Sequence, residues 1–164
     1  MSAFLVDTSF LISLADPGRK HHAVAVQCLR EALRRGMPVY LSAIVASEFG
    51  VRQAVTDLPL RNFVILPFNI DHAIQAGLLM RALLAQGGRD PTDRRDVVKE
   101  DVKLIAQAIC ESITHIVTED RQTLARYAQR LTDSGTAAVK CLLLADGFDD
   151  TWFDGGQRSL LTGD

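Results

Sequence analysis

The chain is expected to fold as an α/β domain around a central parallel sheet of about five strands, and three observations point there. Short Val/Ile/Leu-rich runs alternate with longer segments of helical period, the pattern of consecutive βα units. No internal repeat or low-complexity tract interrupts that alternation. Two of the short runs, "FLVDTSF" at Phe4–Phe10 and "HIVTED" at His115–Asp120, end abruptly in an aspartate just before a helical segment.

Taken in order, the expected strands are Ala3–Val6, Val39–Leu41, Phe63–Leu66, Thr114–Val117 and Val139–Leu144. Helical segments are expected to begin near Thr8, His21, Ala43, Asp71, Asp96 and Arg121. The second helix should stop at "RRGMP", where arginines fill the last turn and Gly36 and Pro38 prevent continuation. "QGGRDPTDRR", residues 86–95, reads as a polar loop broken by Gly87, Gly88 and Pro91. Beyond Leu144 the composition turns acidic and loses its period. The expectation is therefore a domain over residues 1–145 and an acidic C-terminal tail over 146–164, anchored in part by Phe148, Trp152 and Phe153. That tail lacks the acid spacing of a calcium loop.

With 164 residues, 48% hydrophobic and 23% charged, the chain matches one ordinary globular domain. No apolar stretch approaches the ~20 residues of a membrane span. The start shows no secretory pattern, so no membrane association is expected. Cys28, Cys110 and Cys141 are scattered and odd in number, which suits a reducing cytoplasm better than a disulfide framework. A net charge of −2 and pI near 6.1 argue against a general DNA-coating protein but leave a nuclease open.

Asp7 and Asp120 each have an ordinary explanation as helix N-caps. Glu48 and Asp101 are harder to dismiss. Glu48 sits within a stripe of Ile44, Val45, Val51 and Val55, and Asp101 within Val97, Val98, Leu104, Ile105, Ala108 and Ile109. Solvated acids belong on the opposite helix face. Both are expected to point toward the body of the protein or its rim, although Arg52 or Lys103 could serve as simple ion-pair partners. If the first and fourth strands are neighbours where the sheet order reverses, all four acids meet in one crevice. Four carboxylates repel one another unless a cation balances them, and oxygen ligands suit Mg²⁺ or Mn²⁺. Such an ion reconciles an acidic pocket with an anionic phosphodiester substrate.

The segments "VDTSFLI" (Val6–Ile12), "LSAIVASEF" (Leu41–Phe49), "DVKLIAQA" (Asp101–Ala108) and "IVTED" (Ile116–Asp120) resemble, in content and order, the PIN-domain family and its VapC-like toxin ribonucleases. The resemblance implies a three-layer α/β/α fold with strand order 3-2-1-4-5. It implies Mg²⁺- or Mn²⁺-dependent endoribonuclease activity, a homodimer and a small antitoxin partner. Asp7, Glu48, Asp101 and Asp120 match the family's acidic, metal-holding positions, and Thr8, Ser9 and Thr118 match neighbouring polar ones. Ile105 departs from the small residue common there. Asp96 competes with Asp101 and Glu119 with Asp120. Arg121 is expected to contact RNA, and Arg19, Lys20, Arg94, Arg95, Lys99 and Lys103 are further candidates for phosphates. An alternative reading is a PIN-fold binding protein that acts through a protein partner with weak or no nuclease activity. A receiver domain or a phosphatase fits poorly, since Ser9 stands where a second aspartate would be expected; no P-loop or dinucleotide fingerprint is present.

Overall fold

In the computed structural model, residues 3–153 are described. Five parallel strands run in the order 3-2-1-4-5. They are β1 (Phe4–Val6), β2 (Val39–Ser42), β3 (Val64–Leu66), β4 (His115–Thr118) and β5 (Lys140–Leu143). Six helices connect them: α1 (Thr8–Ala15), α2 (His22–Arg34), α3 (Ala43–Gly50), α4 (Ile70–Ala85), α5 (Arg95–Cys110) and α6 (Leu124–Asp133). The chain steps from β1 outward to β3 and then returns to the other side of β1 for β4. Right-handed crossovers therefore put α1–α3 on one face of the sheet and α4–α6 on the other, and the helix contacts follow that division.

The strands are short and nearly all apolar because both faces are covered. Phe4, Leu5 and Val6 are buried, as are Ile116 and Val117 opposite Leu5 and Val6. Edge strand β3 is the exception, with Val64 and Ile65 exposed. Sequence-coded caps set the helix starts. Asp7 accepts from the Phe10 amide at the head of α1, and Ser42 accepts from the Ile44 amide at the head of α3. Asn69 and His72 form a reciprocal capping box on α4. His72 is fully buried, with Nε2 2.9 Å from Glu111, so both ring nitrogens are engaged in hydrogen bonds within the fold. The α4–α5 connection is tied to α6 through Asp93, which accepts from the Arg126 and Tyr127 side chains.

Two local expectations shift, and the anchoring expected after β5 is present. Helix α3 stops at Gly50, so Val51, 86% exposed, belongs to no buried stripe; the buried pair is Val45 and Phe49. Helix α6 starts at Leu124 rather than near Arg121, because Asp120 binds the Thr123 amide and turns the chain first. The segment after β5 packs back. Phe153 is buried edge-on against Phe4 at 5.1 Å, with the Arg35 guanidinium 4.6 Å above its ring and bonded to Asp150 at 2.6 Å. Residues 154–164 of the expected tail lie outside the described residues. No helix among the described residues is long and apolar enough to cross a membrane.

Phe153 thus closes the core beneath the start of β1. Phe153→Ala should lower unfolding stability by about 3 kcal/mol, read as a reduced urea midpoint at unchanged slope.

Candidate active site

Strands β1 and β4 are neighbours, with Val6 level with Val117, so Asp7 and Thr118 leave the sheet side by side. Here the chain exits β1 toward one face and enters β4 from the other, which opens a crevice at the carboxyl ends of the strands. Asp7, Glu48, Asp101 and Asp120 all line one cleft of about 420 Å³. The four acids, scattered over more than a hundred positions, are brought together as expected. Thr8, Ser9, Arg52 and Glu100 share the lining with the apolar Ile12, Val97 and Leu104.

Each acid is held differently. Asp7 is buried, and its carboxylate accepts from the Ser9 hydroxyl (2.7 and 2.8 Å), the Thr118 hydroxyl and the Phe10 amide. Those same hydroxyls accept from the Glu119 and Asp120 amides, each at 2.8 Å, which locks the β4 exit onto the β1 exit. Glu48 is exposed at the rim, bonded by the Thr8 hydroxyl. Asp120 takes both the amide and the hydroxyl of Thr123. Asp101 projects from the buried stripe of α5, and its Oδ2 is buried without a hydrogen-bond partner.

Electrostatics follow from that placement. Burial raises the Asp7 carboxyl to about 6, against the bonds from Thr118, Phe10 and Ser9, and the charge of Asp120 adds to the rise. Asp101 is raised to about 7, first by burial and then by the charges of Asp120, Asp7 and Glu48, with Thr123 opposing. An orphaned carboxylate oxygen amid like charges has the chemistry of a hard-cation ligand. The donors fit such an ion, although among the described residues no three Asp, Glu, His or Cys side chains already converge on one point.

The competing candidates lie elsewhere. Asp96 is exposed and paired with Arg94 at 2.5 Å. Glu119 bonds Ser13 and Arg19 and is absent from the cleft lining. Thr118 is fully buried behind Asp7. Arg121 pairs with Asp146 at 2.6 Å outside the cleft lining, and Lys103 pairs with Glu100 at 2.7 Å. Arg95 and Lys99 line a separate groove of about 310 Å³ between α4 and α5, together with Arg89. Glu100 and Thr123 are site residues that the sequence reading missed. The spacing Val97, Glu100, Asp101, Leu104 repeats at three and four residues, which was a usable signal for Glu100. Thr123 carried no signal beyond its distance from Asp120.

A parallel α/β domain with four acids at its strand reversal defines a class of acid-centred domain, and comparison with known proteins places it. The family model for the PIN domain matches residues 4–130, and the chain belongs to that family. No curated protein sequence matches significantly. Among solved structures, the chain is similar to one in the VapBC2 complex of Rickettsia felis bound to a promoter DNA fragment. That likeness has 15% identity, 86% of this chain and 98% of that one covered, and TM-score 0.57. It is also similar to one in FitAcB of Neisseria gonorrhoeae (19%, 87% and 98%, TM-score 0.57). A third is VapC20 of Mycobacterium tuberculosis, described as a sarcin-ricin loop cleaving toxin (18%, 84% and 99%, TM-score 0.53). At these identities the likeness establishes the fold.

Because the folded chain holds Asp101 well above an unfolded aspartate, it favours the neutral form. That contribution is complete below about pH 4 and is lost as pH rises through 7. Asp101→Asn should therefore be more stable than wild type at pH 8 in EDTA, by about 1–2 kcal/mol, with the gap closing by pH 4. Paired thermal melts across that range measure it.

Proposed function

We propose that the chain is a Mg²⁺- or Mn²⁺-dependent endoribonuclease, the toxin of a type II toxin–antitoxin pair. The observation that carries this reading is the meeting of Asp7, Glu48, Asp101 and Asp120 in one cleft, with the buried Asp101 Oδ2 left without a partner. Family membership and the fold shared with VapBC proteins support it.

In this reading Asp7, Asp101 and Asp120 hold the ion, directly or through water. When bound, the divalent ion neutralises charge on the scissile phosphate and lowers the pKa of an attacking water. Glu48, at the exposed rim and steadied by Thr8, would orient an attacking water. Ser9 and Thr118 keep Asp7 aimed into the cleft rather than meeting substrate themselves. Arg52 lines the same cleft and is suited to an RNA phosphate. Lys99 and Arg95 offer positive charge on the far side of α5, where the strand can continue.

A partner surface is also part of the proposal. Val64 and Ile65 of edge strand β3, with Ile70, Ile74 and Leu78 along α4, are all exposed. A row of that kind suits protein assembly, with an antitoxin or a second copy in a homodimer. The same row favours the alternative reading, in which the chain acts chiefly through a protein partner. The three free thiols suit a cytoplasmic setting.

Incubating the isolated chain with RNA and Mn²⁺ separates the two readings. Cleavage that stops with EDTA is expected of the wild type, and an inert, well-folded chain would favour the partner-only role. Asp7→Asn should lower the cleavage rate about a thousandfold, consistent with the several kcal/mol that a bound ion supplies. Its circular dichroism should stay unchanged, because Asn can also cap α1. Normal turnover by that variant would refute the assignment.

A further inference from the structure

Thr123 stands at the N-cap of α6, a position where threonine is favoured because its side-chain oxygen accepts a helix amide. It makes no such bond here. Instead its hydroxyl donates to Asp120 Oδ2 while its amide donates to Asp120 Oδ1 at 2.8 Å. The half-buried Thr123 thus spends its one hydroxyl proton on a hydrogen bond to Asp120, the acid three residues before it. Asp101 Oδ2 remains unsatisfied.

Building on the metal-dependent reading above, we infer that Thr123 is a positioning residue that fixes the Asp120 carboxylate for the ion by gripping both of its oxygens. The other clasped acids use separate donors: Ser9 and Thr118 for Asp7, and Thr8 for Glu48. The Thr123 amide bond fixes one Asp120 oxygen through the backbone and survives any substitution short of proline. Its hydroxyl bond is the part a side-chain change removes. Without that bond Asp120 can rotate about its side-chain torsions, and its carboxylate loses the pre-set orientation that a cation would otherwise meet. Groups that orient metal ligands through hydrogen bonds commonly contribute 10–100-fold to affinity.

The test uses the full chain and Mn²⁺ alone as probe, with free Mn²⁺ followed by electron paramagnetic resonance. Thr123→Val keeps the side-chain shape and the backbone donor, Thr123→Ala removes bulk as well, and Thr123→Ser restores the hydroxyl. Thermal melts in EDTA establish which variants are folded. Valine or alanine should weaken Mn²⁺ binding about tenfold or more, while serine stays within about twofold of wild type. In cleavage assays kcat should fall with KM for RNA unchanged, since the hydroxyl is spent on Asp120. Mn²⁺ affinity within twofold of wild type in a folded valine or alanine variant would overturn the assignment. So would a serine variant as weak as valine, which would point to packing instead. Wild-type chain that bound no Mn²⁺ would sink the metal-dependent reading itself.

Discussion

The molecule is organised around the mutual repulsion of carboxylates that its own fold forces together. Burying Asp7 and Asp101 beside Asp120 and within reach of Glu48 costs free energy, and nothing in the apolar core offsets it. The sheet order creates the problem. Because β1 and β4 are neighbours, two strand-end aspartates emerge together, and the helices that flank the reversal bring the other two. Everything local to the cleft can be understood as a response to that charge density.

The response is built from hydroxyls rather than cations. Ser9, Thr118, Thr8 and Thr123 each donate a hydrogen bond to an acid, and none of them neutralises its charge. Arginine or lysine at these places would have stabilised the metal-free chain more and closed the cleft to a cation. Neutral donors steady the side chains while leaving the charge in place. Asp101, the acid with a buried oxygen left over, is where the cleft remains least satisfied. A site that is uncomfortable when empty is one that gains most from a divalent ion, which links the energetics of the fold to the proposed chemistry.

Much of this was legible in the chain. Alternating apolar runs located all five strands to within a residue or so, and segments of helical period located most helix starts. Asp101 was legible because it interrupts an apolar stripe on a long helix. Glu48 was found for a less secure reason: the stripe that pointed to it included Val51, which lies past the end of α3. Glu48 nonetheless lines the cleft, because Phe49 beside it is buried and sets the helix against the body. The packing of Phe153 under Phe4 was foreseen only as partial anchoring, since a short segment without period carries no register information.

By itself the sequence determined the type and order of the elements, the four candidate acids and the Asp7 cap that starts α1, because these depend on residues close in the chain. Only the tertiary structure decided that Ser42 bonds Gln107, that Thr123 faces Asp120 instead of capping α6, and that Asp96 and Glu119 turn to arginines outside the cleft. Those choices pit a local bond against one made across the fold. Which one wins depends on distances that no spacing along the chain encodes.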